Sequence, residues 1–435
     1  MNRLILNIQP FRQKGYAIAA LLTALLIGLL SQVMTQVQAS SIPTKTADSF
    51  VDAIGVATHL RYLDTAYGRY EEVIKPRLRE LGVRHIRDGG KDPGMFQKMN
   101  DLARIGIKST LVMDPRDGIF PVNVVGEVLN PTLSAVEAVE GPNEWDVHPQ
   151  LNYQGQTFPT GIRSYQIDLY NAIKQNPATA NLWVLMPSLA IPFNASQLGY
   201  INELDAGNMH SYAGGNLPSQ DLDTKWIPLT QIVSGSNKPI VATEAGWHNA
   251  IADPAPPQPA VSEQVSAKYI PRLFLEYFNR NVRRAFVYEL IDERPAPNQE
   301  NNFGLLRVDG TPKPAFTALK NLIALLKDPG VEFQPQSLSY QLTGNVASVH
   351  HTVLQKRDRR FYIVLWQEVP SFDPQTKTNL TVPEQSVTLS FSNTFKSVKA
   401  YQPINSTTPV WQQSNVNQLQ LAVPDHPLVI ELTPA

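Results

Sequence analysis

Ala135-Val-Glu-Ala-Val-Glu-Gly-Pro-Asn-Glu144 is a strand-like run that stops on a carboxylate, and Pro239-Ile-Val-Ala-Thr-Glu244-Ala-Gly-Trp247 is a second run of the same kind. Each opens with small or β-branched residues, the texture of a parallel strand buried on both sides. An ionisable group at a strand end must be paired, solvated or used. Two glutamates so placed point to an acid/base and nucleophile pair of the sort that acts on glycosidic bonds.

Six more runs share this texture, at 51–56, 83–87, 107–113, 182–186, 206–210 and 285–289. Helical spacing fills the gaps. The segment 70–81 begins the series. The segment 161–174 carries Ile162, Tyr165, Leu169 and Ile173 on one side, with Thr160 as the expected N-cap. The segment 262–281 carries Val265, Tyr269, Leu273, Tyr277 and Phe278, and Pro271 is expected to kink it. Eight strands alternating with helices predict an α/β fold of the (β/α)8 TIM-barrel type, whose usual length is about 250 residues. One βα unit is then about 31 residues, so three units span about 93. Glu144 and Glu244 are 100 residues apart, as ends of strands 4 and 7 should be. No Gly-x-Gly-x-x-Gly follows the first strand, which argues against a doubly wound nucleotide-binding sheet. From 331 to 435 short alternating runs at 361–366, 386–391 and 428–432 sit between Pro, Asn, Thr and Ser, and predict a small antiparallel β-sandwich. The expected organisation is 1–39 export segment, 40–330 barrel and 331–435 β-sandwich domain.

Composition narrows the chemistry. The formal net charge is −1, so no polycationic face is available for nucleic acid. There is no cysteine, which removes disulfides, thiolate metal sites and a cysteine nucleophile. The eight histidines show no His-Glu-x-x-His spacing. Arg3, Arg12 and Lys14 precede an apolar run at 17–30, and Val37-Gln38-Ala39 follows. These are the parts of a secretory signal; a retained anchor is the other reading, although the run is short for a span of about 20 residues. Either reading places the domain outside the cytoplasm, secreted, periplasmic or in the cell envelope, with a membrane as partner only through that segment.

In such a barrel the residues just after each strand form the active face. Glu144 is the expected acid/base, which needs a raised pKa from burial beside an apolar or anionic neighbour. Glu244 is the expected nucleophile, ionised and rigidly aimed. Asn143 can bind a sugar hydroxyl, and Arg87 can keep Glu244 ionised by pairing with it. Tyr212 can donate a hydrogen bond to the nucleophile, and His210 lies beside it. Trp247, Tyr288 and Trp145 offer flat rings for sugar faces. His59, His248, Glu289, Asp292 and Glu293 are further polar residues at strand ends. The chemistry requires neither metal nor organic cofactor.

These residues resemble clan A of the glycoside hydrolases, barrel enzymes with catalytic glutamates after strands 4 and 7. Asn143-Glu144 matches the acid/base signature of that clan, and Glu244 in Thr-Glu-Ala-Gly-Trp matches its nucleophile. His210-Ser-Tyr212 is similar to the strand-6 segment whose aromatic residue contacts the nucleophile. Gly304-Leu-Leu-Arg-Val-Asp-Gly-Thr-Pro-Lys-Pro-Ala-Phe316 resembles the tail after strand 8, and the C-terminal domain is similar to those of families 39, 30 and 79, with family 5 also related in its barrel. Two departures leave the family unassigned: Tyr288-Glu289-Leu-Ile-Asp292 stands where the clan often has tryptophan, and Gly141-Pro142 where many members have bulkier residues. The resemblance implies a retaining O-glycosidase on a poly- or oligosaccharide. The alternatives are a catalytically idle carbohydrate-binding barrel of the envelope, or a structural envelope protein anchored by 17–30.

Overall fold

The computed structural model describes residues 40–435, so the expected export segment lies outside the described residues. From Ser41 onward the chain forms one compact unit. Eight parallel strands make its centre: β1 (Ile54–Ala57), β2 (His85–Gly89), β3 (Lys108–Val112), β4 (Val136–Glu140), β5 (Trp183–Leu185), β6 (Gly207–His210), β7 (Ile240–Ala245) and β8 (Arg284–Val287). They pair in the order β5-β4-β3-β2-β1-β8-β7-β6. A bridge between Leu185 and Ala206 closes the ring, with Asp205 N donating to Val184 O at 2.7 Å and Met186 N to Ala206 O at 2.9 Å. The expected barrel is therefore present. Its interior is filled by Phe286 against Ala138, Leu185, Ala206 and Val241. Gly55 must lack a side chain there, because a Cβ would lie 2.4 Å from the Phe286 ring.

Helices wrap the ring: α1 (Ala47–Asp52), α2 (Lys75–Leu81), α3 (Pro93–Arg104), α4 (Thr160–Lys174), α5 (Ile227–Ser234), α6 (Glu263–Asn279) and α7 (Pro314–Leu326). Two sequence expectations need correction. The run 51–56 is not all strand, since its first residues end α1, whose start Thr46 caps by accepting from Ser49 N at 3.3 Å. Phe50 and Val51 are buried from that helix, as they would have been from a strand. Thr160 lies inside α4 rather than at its cap; helical bonding begins earlier, with Gly161 N donating to Thr157 O at 2.7 Å. Ser262 does cap α6, which continues through Pro271.

β7 carries a bulge. Its residues Val241 to Glu244 face Asn208 to His210 of β6, and Ala242 to Ala245 face Ala285 to Val287 of β8. Three steps on β7 match two on each neighbour, so one extra residue is inserted beside Glu244. Such bulges re-aim side chains at barrel rims.

The C-terminal region is antiparallel: β9 (Leu338–Gly344), β10 (Val349–Gln355), β11 (Phe361–Gln367), β12 (Gln385–Tyr401), β13 (Trp411–Val423) and β14 (Leu428–Pro434). The order is β9-β12-β14-β11-β10, with β13 also on β12. The 17-residue β12 pairs with β9 up to Phe391 and with β14 from Phe395. The layers expected of a sandwich are thus halves of one continuous sheet, folded on a core that includes Ile363, Leu389, Val398 and Leu432.

Arg272 of α6 ties this sheet to the barrel. It is fully buried, with Nε bonding Glu368 Oε2 at 2.8 Å and Nη2 bonding Val369 O at 3.0 Å. Its Nη1 reaches Asp425 O at 3.2 Å. Replacing Arg272 by Met strands the Glu368 carboxylate in a dry interface, and we expect a loss of about 3–5 kcal/mol in urea unfolding. Adding Glu368→Leu should recover most of that loss.

Candidate active site

Arg87, at 5% exposure on β2, holds three groups at the centre of the barrel mouth. Its Nε and Nη2 bond both oxygens of Glu140, at 2.9 and 3.0 Å. Nη2 also donates to Asn143 Oδ1 at 2.8 Å, and Nη1 donates to Glu244 Oε1. One guanidinium therefore spans β2, β4 and β7. Glu140 is fully buried. Burial pushes its carboxyl up, but the adjacent Arg87 charge outweighs this and holds it at about 2.

The loop after β4 is built for close approach. At Gly141 a Cβ would meet Gln166 Oε1 at 2.3 Å, which accounts for glycine where bulkier residues are common in the resembling clan. Asn143 N donates to Asp114 Oδ2 at 3.0 Å, and Asn143 O accepts from Arg116 Nη2 at 2.5 Å. With Oδ1 taken by Arg87, the amide NH2 is the part of Asn143 left to donate into the cavity. Glu144 follows with φ 53°, a left-handed conformation that costs energy for a glutamate and aims it away from the strand path.

The two glutamates meet across His210. One oxygen of Glu144, one of Glu244 and a nitrogen of His210 all lie within 4.8 Å of one another. His210 Nδ1 is 2.6 Å from Glu144 Oε1 and 3.6 Å from Glu244 Oε2. Tyr212 donates to Glu244 Oε2 at 2.6 Å. Thr243 fixes the ring: its hydroxyl donates to Asn208 Oδ1 at 2.8 Å, so its lone pair accepts from His210 Nε2 at 3.0 Å. Nε2 then carries a hydrogen, and the short contact on Nδ1 requires a further proton, on His210 or on Glu144.

The electrostatics decide where that proton rests. Burial lowers the His210 pKa, but Glu244, Glu140 and Glu144 around it raise it to about 10. Burial pushes Glu144 up, and the imidazolium beside it wins, holding its carboxyl below the usual range. This corrects the expectation of a raised acid: the neighbour at hydrogen-bond distance is cationic, neither apolar nor anionic. The proton of the free protein sits at the His210–Glu144 contact, on the histidine side.

These groups line a cavity of about 910 Å³ with His59, Tyr62, Asp88, Trp226, Tyr288 and Glu300 among its walls. Tyr288 OH donates to Glu300 Oε1 at 2.9 Å and lies 3.1 Å from His59 Nε2. Of the expected site residues, Glu144, Glu244, Asn143, Arg87, His210, Tyr212 and Tyr288 come together. Trp247 does not: it is 3% exposed, its indole donates to Asn216 O at 3.0 Å, and it packs on Tyr269. Trp145 is likewise buried, against Tyr165 and Ile162, and His248 bonds Gln258 O. Asp292 pairs with Lys313 at 2.8 Å. Glu140, Thr243 and Glu300 were not anticipated. Glu140 had a signal, a carboxylate within a buried strand; Glu300, in the loop beyond β8, had none.

No protein-family model matches the chain, and no curated protein does. Solved structures match its fold. A family 39 glycoside hydrolase from the gut symbiont Bacteroides cellulosilyticus WH2 aligns with TM-score 0.55 and 15% identity, over 90% of this chain and 83% of that one. A glucosidase from Croceicoccus marinus aligns with TM-score 0.57 and 12% identity, over 91% of this chain and 98% of that one. Such coverage takes in both the barrel and the C-terminal sheet, so the architecture read from the sequence is that of known glycosidases.

His210 gives a pH prediction. Its folded pKa of about 10 lies above the ordinary 6.5, so it adds stability that is full below 6.5 and lost as pH rises through 10. The unfolding midpoint of the wild type should fall between pH 7 and 10, and that of His210→Gln should fall less over the same range. Parallel curves would refute the charged histidine.

Proposed function

We propose that the chain is an exported retaining O-glycoside hydrolase that cleaves a poly- or oligosaccharide. The observation that carries the reading is a single cavity holding two carboxylates with oxygens within 4.8 Å and with different partners. Glu244 receives donors from Arg87 and Tyr212, whereas Glu144 faces a proton held on His210. Retaining pairs stand about 5–5.5 Å apart, and inverting pairs about 6.5–9.5 Å, to admit a water. The fold likeness to a family 39 enzyme and a glucosidase supports carbohydrate as the substrate.

In this mechanism substrate excludes water from the cavity, and the proton moves from His210 Nδ1 to Glu144 Oε1. Glu144 gives it to the glycosidic oxygen as the bond from that oxygen to the anomeric carbon breaks. A Glu244 oxygen forms the new bond to that carbon. Water then attacks the glycosyl-enzyme, loses its proton to Glu144, and releases Glu244 as a carboxylate. The Asn143 amide donates to a hydroxyl beside the reacting carbon. No step needs a metal or an organic cofactor. Export rests on the composition of residues 1–39 alone; among the described residues no helix is long and apolar enough to cross a membrane.

Glu144→Gln should lose about 10²–10⁴-fold on glycosides with poor leaving groups and much less on activated aryl glycosides. Equal loss on both would remove Glu144 as the acid. A 2-fluoro sugar should leave one covalent glycosyl adduct, found by peptide mass spectrometry on Glu244. Its absence across a broad sugar panel would return the barrel to carbohydrate binding without catalysis.

A further inference from the structure

Beyond the Tyr288 wall lies a polar cluster that the proposed hydrolysis does not use. His59 follows β1; Glu289 and Glu293 follow β8. His59 Nε2 is 3.7 Å from Glu289 Oε2 and 3.9 Å from Glu293 Oε1, and one donor atom from each residue lies within 4.8 Å of the other two. Glu289 is fully buried and is fixed by Tyr67, whose hydroxyl donates to Oε2 at 2.7 Å. Its other oxygen, Oε1, is buried with no hydrogen-bond partner among the described residues. Arg294, next to Glu293 in the chain, is engaged with Asp64. Two carboxylates thus meet in a nearly dry place and, among the described residues, form no salt bridge to a lysine or arginine, an arrangement that is expensive unless something neutralises it.

The surroundings agree. Burial, with Glu293 beside it, pushes Glu289 well above the usual carboxylate range; burial, with Glu300 adding repulsion, pushes Glu293 to about 7. Burial holds His59 neutral, down at about 4; Tyr288 OH donates to Glu300 and so accepts from His59 Nε2, and a shift of that hydrogen to Nδ1 frees the Nε2 lone pair for a ligand.

We propose that His59, Glu289 and Glu293 bind a divalent first-row cation such as Zn2+. An imidazole nitrogen with two carboxylates is a donor set that such ions accept, with water completing the shell. At Zn–ligand distances of about 2.0–2.1 Å the edge of a tetrahedron is about 3.4 Å, close to the 3.7 and 3.9 Å from His59 Nε2 to Glu289 and Glu293, and the two carboxylates would draw together from a separation of at most 4.8 Å. The ion neutralises both carboxylates and gives the orphaned Oε1 a partner, either directly or through its water. It also clips the loop after β1 to the loop after β8. His59 Nε2 then turns from Tyr288 OH to the ion, which leaves Tyr288 bonded to Glu300 alone at the cavity wall. The proposal does not depend on the hydrolytic reading.

The test uses the full chain, treated with chelator and then titrated with Zn2+. Calorimetry and elemental analysis after dialysis should find one Zn2+ per chain, and the unfolding midpoint should rise with Zn2+ concentration. Glu293→Gln alters the partly exposed ligand and spares the buried Glu289; it should fold, yet lower Zn2+ affinity by at least about 10-fold and lose the midpoint shift. His59→Asn provides a second ligand deletion with the same expected loss. Absence of stoichiometric uptake by the wild type, or equal uptake by Glu293→Gln, overturns the site. So does a metal-free midpoint that falls as pH rises from about 4.5 through 7 while Zn2+ adds nothing, because the acids are then simply held protonated.

Discussion

Arg87 is a buried cation that three strands share. Its contacts run to Glu140 of β4, to Asn143 just beyond β4 and to Glu244 of β7, and Glu140 is fully buried. A charge taken out of water is tolerated only where its hydrogen bonds are complete and well aimed. The barrel must therefore hold β2, β4 and β7 in one register, and the site inherits the rigidity of that requirement. Glu140 is the quiet half of the arrangement. It balances the charge of Arg87 with two hydrogen bonds, and the remaining donor of Arg87 orients Glu244.

The same residue type is then given two behaviours by its surroundings. Glu144 and Glu244 share one cavity, yet Glu244 receives an arginine and a tyrosine hydroxyl while Glu144 receives a histidine. With His210 charged, one arginine and one imidazolium face Glu140, Glu144 and Glu244, which leaves the cluster one charge negative. A positive centre developing between the two glutamates is stabilised by that excess. On the proposed pathway, esterification of Glu244 removes one negative charge and departure of the His210 proton through Glu144 removes one positive charge, so the cluster stays one charge negative throughout.

Much of this was legible in the sequence because burial on both faces leaves strand runs nearly continuous in apolar residues. All eight barrel strands were found, and their ends carried most of the polar groups that meet at the mouth. The failures share a cause. At 51–53 a buried helix end and a buried strand have the same composition, and the Thr46 cap outweighed the β-branched texture. Trp247 and Trp145 sit beside Glu244 and Glu144 in sequence, but an aromatic ring that packs inward is indistinguishable in sequence from one that faces a cavity. The pKa direction of Glu144 was misjudged for a similar reason: which neighbour comes within 2.6 Å is decided by β6 and β7, not by the residues around Glu144. Glu300 reaches Tyr288 from a loop whose path no local pattern encodes.

The bulge in β7 shows why strand location alone was not enough. In a regular strand Thr243 and Glu244 would point to opposite faces, because side chains alternate. Here Thr243 bonds His210 and Asn208 while Glu244 bonds Arg87 and Tyr212, so both point into the barrel mouth. The extra residue against β6 and β8 makes this possible. Without it, one of the two would turn outward toward the helices. Either Glu244 would leave the cavity, or His210 would lose the acceptor that fixes Nε2 and, with it, the orientation that presents Nδ1 to Glu144. A single inserted residue therefore serves both carboxylates, one directly and the other through the histidine between them.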